Sequence, residues 1–185
     1  MRDEEKQNAT DMLSLAMEKI AGLVPPWFIP EVGMNVAYAL PDARVTGDVA
    51  AVEGRIVRLG NKVHPVGDIK FGASSHVARI VLTAMKFDSD IRSAVNIRFS
   101  EEIIKKAEDL LLEVRSFDRE KEPSGVSTMD WGVAFCCSEG DVPDVIYDRG
   151  GVGKEPMIRF LGEDPLTVVN NIIMIAERIN NKNKN

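Results

Sequence analysis

The sequence predicts an α/β protein, a single domain in which a mixed β-sheet is flanked by helices. Apolar residues in the second half recur alternately at helical and at strand spacing, whereas the first half has mainly strand patterns. The 185 residues contain no internal repeat and no low-complexity block, and this length suits one domain. We expect residues 1–28 to form an N-terminal helix and linker, residues 29–180 the functional domain, and residues 181–185 a disordered tail.

The N-terminal half is predicted to begin with one helix and to continue as strands. Apolar residues at helical spacing predict an amphipathic helix over Asp11–Leu23, which Pro25 and Pro26 end. Strand patterns follow over residues 34–40, 49–59 and 66–71. Gly60, between Leu59 and Val63, predicts a hairpin turn.

In the second half, helices and strands are predicted to alternate. Ser74 or Ser75 can cap a helix that ends near Met85. Ser100 and Asp164 are placed to begin two later helices, the second with Pro165 in its first turn. A further helix is predicted over residues 129–138, and strands over residues 94–99, 113–117, 142–147 and 157–161. Such alternation favours helices packed on a mixed sheet.

Composition excludes several classes of function. The formal charge is −6, from 23 basic and 29 acidic residues, and no basic stripe of the kind that binds nucleic acid occurs. No apolar run approaches the roughly 20 residues that span a membrane, and the N-terminus lacks an apolar signal core. Cys136 and Cys137 are adjacent, which suits neither a disulfide between them nor a zinc site. We therefore expect a cytoplasmic protein with no nucleic-acid or membrane partner.

The first candidate site joins a strand to a helix. Gly72 lets the backbone approach a ligand, Ser74 and Ser75 offer hydroxyls, and the helix N–H groups favour an anion. His76, in the first helical turn, can contact a phosphate or move a proton. The alternative is an ordinary capped helix with a structural histidine.

The second candidate site runs from a loop into a strand. Its ligand-binding candidates are Arg92, Ser93, Asn96 and Arg98. Strand alternation puts Asn96 and Arg98 on one face, where polar groups need partners that a ligand can supply. Arginine suits phosphate because its planar guanidinium donates two parallel hydrogen bonds. An internal network of ion pairs is the alternative.

The third candidate site is a glycine loop that follows an apolar strand. Its candidates for phosphate binding are Arg149, Gly151, Gly153 and Lys154. The loop departs from a P-loop, because Asp148 stands where the first glycine is needed and Glu155 where Ser or Thr is needed. These two carboxylates could instead hold Mg²⁺ against a substrate's phosphates. A charged turn is the alternative.

Arg55 is the fourth candidate. It follows Gly54 in a predicted strand, and strand alternation does not decide whether Arg55 or Arg58 faces inward. Taken together, several anion-suited loops in one acidic domain favour a small phosphorylated ligand.

Three motifs make the chain resemble the ThiN family of thiamine-phosphate synthases. They are Phe71-Gly-Ala-Ser-Ser-His-Val-Ala-Arg79, Ile91-Arg-Ser-Ala-Val-Asn-Ile-Arg98 and Asp148-Arg-Gly-Gly-Val-Gly-Lys-Glu-Pro156, in that order. The resemblance implies that hydroxymethylpyrimidine diphosphate and hydroxyethylthiazole phosphate condense to thiamine phosphate and pyrophosphate, with Mg²⁺ assisting. It also implies that Arg55 and His76 are catalytic.

A non-catalytic sensor of thiamine phosphates is the alternative that this resemblance leaves open. Related regulators join a ThiN-like domain to a DNA-binding domain, for which the 28 residues before the matching region are too few. A purely structural partner protein would leave the polar loops unexplained. The expected partners are small phosphorylated substrates, and a homodimer is compatible with this expectation.

Overall fold

A computed structural model describes residues 2–182, which form five α-helices and nine β-strands. The helices are α1 (Arg2–Leu23), α2 (Ser75–Ala84), α3 (Glu101–Asp109), α4 (Thr128–Cys137) and α5 (Pro165–Lys182). The strands are β1 (Val36–Ala39), β2 (Val49–Val52), β3 (Ile56–Leu59), β4 (Lys62–Pro65), β5 (Ile69–Phe71), β6 (Ser93–Arg98), β7 (Val114–Ser116), β8 (Val145–Asp148) and β9 (Met157–Gly162).

Seven of these strands form one mixed sheet in the order β5-β2-β1-β6-β9-β8-β7. Neighbouring strands are antiparallel except β7 and β8, which are parallel. The other two, β3 and β4, form a separate hairpin. The α/β fold class with a mixed sheet flanked by helices is therefore confirmed.

Helices cover both faces of the sheet and bury a core on each. One core joins the sheet to α1, α3 and α5, and the other joins it to α2 and α4. Successive residues of β6 alternate between the two cores, since Val95 and Ile97 belong to the first and Ala94 to the second. Helices on both sides explain why the central strands are almost wholly apolar.

The N-terminal helix is longer than predicted and belongs to the main core. It begins at Arg2 rather than Asp11, and its Leu13, Ala16 and Ile20 are buried in the same core as α5. This helix therefore packs into the same core as the domain that follows it. Residues 181 and 182 of the predicted tail belong to α5, and residues 183–185 lie outside the described residues.

The strand predicted over residues 49–59 is two strands, β2 and β3. Gly54 and Arg55 interrupt it with positive φ angles of 70° and 82°, a conformation that a continuous strand does not allow. The predicted turn at Gly60 is present and joins β3 to β4. The other predicted elements occur with ends shifted by a few residues, as is usual at frayed or tightly turned termini.

Candidate active site

A cavity of about 430 Å³ lies at the N-terminal end of α2 and brings the first and fourth sequence candidates together. We call it the His76 cavity. It is lined by Val32, Gly33, Asn35, Val52, Gly54, Arg55, Ala73, Ser74, Ser75, His76, Val77 and Asn96. These residues come from the segment before β1, the end of β2, the turn after it, the start of α2 and the middle of β6. Four segments distant in the sequence therefore form one polar site.

Residues 73–77, at the start of α2, line this cavity. Ser74 caps the helix, and its hydroxyl accepts a hydrogen bond from the N–H of Val77 at 3.5 Å. Gly72, with φ of 77°, turns the chain from β5 into this helix but does not line the cavity. Free N–H groups at a helix N-terminus attract anions, so this wall suits a phosphate.

Arg55 reaches the cavity because the chain turns sharply at Gly54. Its guanidinium donates a hydrogen bond to the carbonyl oxygen of Val32. Gly33 lies beneath the side chain, and a Cβ added there would lie 3.0 Å from Cδ of Arg55. The positive φ of Arg55 thus aims the guanidinium across Gly33 into the cavity, which settles the orientation that strand alternation left open.

Two buried asparagines, Asn35 and Asn96, form the wall of the cavity on the side of the sheet. The Asn96 Oδ1 accepts from the N–H of Asn35 at 2.8 Å, and its Nδ2 donates to the Gly33 carbonyl at 3.1 Å. The Asn35 side chain bonds both the N–H and the carbonyl of Val52, at 3.0 and 2.8 Å. Both amides have hydrogen-bond partners within the protein, so they shape the cavity wall and need no ligand as a partner.

His76 is neutral at physiological pH. By surface area His76 is exposed, and it lines the cavity, but neighbouring protein atoms still displace part of the water around its ring. This desolvation, together with the charges of Arg159, Arg55 and Arg119, lowers the pKa of His76 to about 4. A neutral imidazole offers one donor and one acceptor nitrogen, so His76 can accept a proton or hydrogen-bond an anion.

Three charged residues form a buried network behind the cavity. Asp148 and Arg159 have no exposed surface, and Asp148 Oδ2 accepts from Arg159 Nη1 at 2.8 Å. Asp148 Oδ1 accepts from Arg119 Nε at 2.5 Å and from the N–H of Gly150 at 2.8 Å. Arg159 lies opposite Asn96 in the paired strands, so it is on the α2 and α4 side of the sheet.

A second cavity, of about 440 Å³, adjoins this network and is rich in aromatic side chains. We call it the aromatic cavity. It is lined by Ser116, Phe117, Asp118, Arg119, Lys121, Trp131, Phe135, Tyr147, Arg149 and Gly150. Gly132 lets α4 pack directly on Phe117, since a Cβ there would lie 2.5 Å from that ring. Of the third sequence candidate, only Arg149 lines this cavity.

The rest of the third candidate lies elsewhere on the surface. Gly151 and Lys154 bond to each other's backbone across the turn, and the ammonium of Lys154 is 3.4 Å from Glu122. Gly153, Glu155 and Arg98 line a separate cavity of about 510 Å³. The loop is therefore a structured turn whose residues are divided between two cavities.

Two residues of the second candidate also lie away from the His76 cavity. Arg92 stacks over the ring of Tyr38 and donates a hydrogen bond to its hydroxyl. Ser93 is buried and donates to the carbonyl of Ala37 at 2.9 Å. Of this cluster, only Asn96 reaches the cavity that contains His76.

The two carboxylates predicted to hold Mg²⁺ do not fit that role. Both oxygens of Asp148 accept hydrogen bonds from arginines, and the side chain is fully buried. The oxygens of Glu155 accept from the N–H groups of Glu31 and Val32 at 2.9 and 3.1 Å. Among residues 2–182, no group of three or more His, Cys, Asp or Glu side chains is placed to hold a metal.

Sequence reasoning missed Asn35, Arg119, Arg159 and Trp131. Arg159 had a usable signal, because it is the single charge within the apolar run Met157–Leu161. A lone charge in such a strand needs a buried partner, and here that partner is Asp148. Arg119 and Trp131 carry no comparable signal in the sequence.

The structure defines the class of protein first: a single α/β domain with a mixed sheet and a polar cavity at the N-terminus of a helix. No helix within residues 2–182 is long and apolar enough to cross a membrane. One guanidinium, that of Arg55, lies at this cavity together with the N-terminus of α2 and the imidazole of His76.

Comparison with known proteins identifies the family. The family described as thiamine-phosphate synthase ThiN matches residues 13–174. The chain is 37% identical over 184 residues to the thiamine-phosphate synthase ThiN of Methanothermobacter thermautotrophicus, covering 96% of this chain and 94% of that protein. It is 50% identical over 156 residues to the bifunctional thiamine biosynthesis protein ThiDN of Methanocaldococcus jannaschii, covering 82% of this chain but only 37% of that longer protein.

A solved structure gives the same result. The crystal structure of the C-terminal domain of protein MJ0236 superposes with a TM-score of 0.90 at 45% identity, covering 95% of this chain and 97% of that one. The chain therefore belongs to the ThiN family of thiamine-phosphate synthases, which are transferases of thiamine biosynthesis. The resemblance inferred from the three sequence motifs is confirmed.

Proposed function

We propose that this protein condenses hydroxymethylpyrimidine diphosphate with hydroxyethylthiazole phosphate to give thiamine phosphate and pyrophosphate. The observation that carries the proposal is the meeting of Arg55, His76 and the N-terminus of α2 in one cavity. Membership of the ThiN family supports the same reaction.

In the proposed reaction, the thiazole nitrogen attacks the methylene carbon of the pyrimidine. Its lone pair forms the new C–N bond, while the electrons of the C–O bond leave with the diphosphate. Negative charge therefore develops on the departing oxygen in the transition state. Groups that are already aimed at that oxygen stabilise the transition state at little reorganisation cost.

We assign the His76 cavity to the diphosphate. Arg55 supplies a planar guanidinium that can donate two parallel hydrogen bonds to phosphate oxygens. The N–H groups at the start of α2, with the hydroxyl of Ser75, supply further donors. His76, neutral before the substrate binds, is placed to donate a hydrogen bond to the leaving group.

The proposed activity is tested by incubating the purified full chain with both substrates and measuring thiamine phosphate and pyrophosphate. We expect equal amounts of the two products. Thiamine phosphate that binds tightly without any turnover, under conditions in which an established synthase works, would identify a sensor instead.

A requirement for Mg²⁺ stays a prediction. Asp148 and Glu155 are already engaged by protein donors, so an ion would have to arrive with the diphosphate. Running the same assay with added MgCl₂ and with EDTA decides whether the ion takes part.

A further inference from the structure

Arg159 is a fully buried arginine that the proposed reaction does not use. It has no exposed surface, and it lines neither the His76 cavity nor the aromatic cavity. Its Nη1 donates to Asp148 Oδ2 at 2.8 Å, and its guanidinium lies over the ring of Phe117, 5.4 Å from the centroid. Among residues 2–182, its Nε and Nη2 have no hydrogen-bond partner. Burying a charged group with unsatisfied donors costs stability, so stability alone does not account for this arginine.

The buried network around Arg159 carries an excess of positive charge. Arg159 and Arg119 share the single carboxylate of Asp148. The side chain of Arg119 is only 11% exposed, and the other two side chains have no exposed surface. Water therefore screens the excess charge weakly, and its electric field extends into the neighbouring protein.

The strand pairing places this charge beneath the start of α2. Arg159 lies between Asn96 of β6 and Ile146 of β8. Ile146 belongs to the core that joins the sheet to α2 and α4, as does Val77 in the first turn of α2. Asn96 and Val77 also line the His76 cavity. The guanidinium of Arg159 therefore lies behind the wall of that cavity, on the face of the sheet that α2 covers.

The charged groups that act on His76 come from several elements around it. They are Arg159 of β9, Arg55 in the turn after β2, Arg119 after β7 and Asp148 of β8. Desolvation is the largest cause of the low pKa of His76, and among the charges Arg159 has the largest effect. Its effect exceeds that of Arg55, although Arg55 lines the cavity and Arg159 does not.

We propose that Arg159 is a positioning residue of the reaction, which acts on the diphosphate site through His76 without contacting a substrate. Its charge keeps the imidazole of His76 uncharged in the free protein, so that one ring nitrogen is a hydrogen-bond donor and the other an acceptor. It also adds to the positive field that the diphosphate meets in the cavity. This inference rests on the proposed function, because it gives Arg159 a part in that reaction.

The titration of His76 tests the inference directly and needs no activity. The chain has two histidines, and the exposed His64 of β4 serves as an internal reference. NMR can follow the ring signals of both across the pH range in which histidine titrates. In Arg159→Met, an uncharged side chain replaces the guanidinium, and the pKa of His76 should rise from about 4 by about one pH unit. The titration of His64 should not move.

Two single variants separate the charge of Arg159 from its packing. Arg159→Lys keeps the charge, and His76 should then titrate close to the parental pH. Arg115→Met is the matched control, because it removes another largely buried arginine from β7, two strands beyond β9 in the sheet. It should leave the titration of His76 unchanged.

A double variant covers the case in which Arg159→Met does not fold. Asp148→Asn combined with Arg159→Met removes both charges of the pair, which costs far less stability than leaving one charge unpaired. The pKa of His76 should still rise, because Arg159 affects it more strongly than Asp148 does.

Kinetics connects the same variants to the reaction. The pH profile of kcat/KM for the pyrimidine diphosphate reports ionisations of the free enzyme. The bend that His76 gives this profile should lie about one pH unit higher in Arg159→Met than in the parent protein. Arg159→Lys should restore the parental profile. A merely structural arginine would change the amount of folded protein and leave the profile of the folded fraction unmoved.

The outcomes separate this inference from the proposed function. Turnover by the parent protein, with the parental titration of His76 in Arg159→Met or in the double variant, would overturn the inference and leave the synthase intact. An equal rise in Arg115→Met would also overturn it, because a general loosening of the fold would then explain the shift. A rise confined to the variants that lack the Arg159 charge, in a protein without turnover, would support the link from Arg159 to His76 and refute the proposed reaction.

Discussion

Asp148 and Arg159 form an ion pair from which solvent is wholly excluded. Asp148 Oδ2 lies 2.8 Å from Arg159 Nη1, and neither side chain has exposed surface. Within residues 2–182, Nε and Nη2 of Arg159 have no hydrogen-bond partner. The ion pair with Asp148 therefore offsets most of the free-energy cost of burying this charge. Burial lowers the pKa of Arg159, and the carboxylate of Asp148 opposes that shift.

Removing the charge of Asp148 should destabilise the fold strongly. Asp148→Asn leaves Arg119 and Arg159 without their shared carboxylate, and breaking a buried pair costs about 3–5 kcal/mol. Urea unfolding followed by circular dichroism measures the loss. Glu101→Gln breaks the pair with Arg149, in which both side chains are 63% exposed, and should leave the urea midpoint almost unchanged because solvent screens this pair. Equal urea midpoints for the two variants would show that the buried ion pairs of Asp148 do not stabilise the fold.

His76 should matter for turnover more than for stability. His76→Asn removes the imidazole from the cavity wall, and loss of one hydrogen-bond donor aimed at the leaving group typically lowers the rate by roughly 10² to 10³. We expect kcat to fall on this scale while the melting temperature stays close to the parental one. The matched control is His64→Asn, which alters the exposed histidine of β4. A stable variant with parental kcat and KM would remove His76 from the catalytic assignment.

Arg55 should act on the departing diphosphate. Arg55→Ala removes a donor aimed into the cavity and is expected to lower kcat by about 10² to 10³. Arg55→Lys should restore only part of this loss, because lysine lacks the planar pair of donors. Arg58→Ala, three residues further along the chain and exposed, is the control. Full activity in Arg55→Lys would mean that a positive charge at this position is enough for turnover and that the planar pair of donors is not needed.

The stability of the protein should fall as the pH drops below about 6.5. His76 has a pKa of about 4 in the folded state, below the value of about 6.5 expected when unfolded. Between these two pH values the unfolded chain binds more protons than the folded protein. Acidification therefore increases the fraction of unfolded protein. This contribution of His76 is complete above pH 6.5 and is lost by pH 4. His76→Asn should flatten the dependence, and His64→Asn serves as the comparison. If the stability of His76→Asn depended on pH as steeply as that of the parent protein, the low pKa assigned to His76 would be disproved.

The adjacent cysteines should be unreactive in the folded protein. Burial, aided by the neighbouring thiol, raises the pKa of Cys136 to about 12, and burial raises the pKa of Cys137 to about 11. At pH 8 the thiolate fraction of each is then about 10⁻³ or less. Ellman's reagent should titrate two thiols in urea and react slowly without it. Rapid native reaction would show that α4 opens readily.

Local patterns anticipated most elements, and they failed where backbone geometry had to be known. Alternating apolar residues predicted the strands, but the break at Gly54 and Arg55 depends on two positive φ angles that no periodicity reveals. For the same reason, the sequence could not show which way the Arg55 side chain points. The turn at Gly54 and Arg55 determines this direction. Local pattern gave no sign that Asp148 pairs with an arginine, because its partner Arg119 lies 29 residues away in the chain.

By itself, the sequence determined the α/β class, a helix cap at Ser74 or Ser75 and the motif that contains His76. Each depends on residues that are neighbours in the chain, where spacing and side-chain type suffice. Only the tertiary structure decided which candidates share a site: it brought Arg55 and Asn96 to His76, and it kept Arg92, Lys154 and Glu155 apart. The physical reason is that sheet order and helix packing, which depend on distant contacts, set the distances between those side chains.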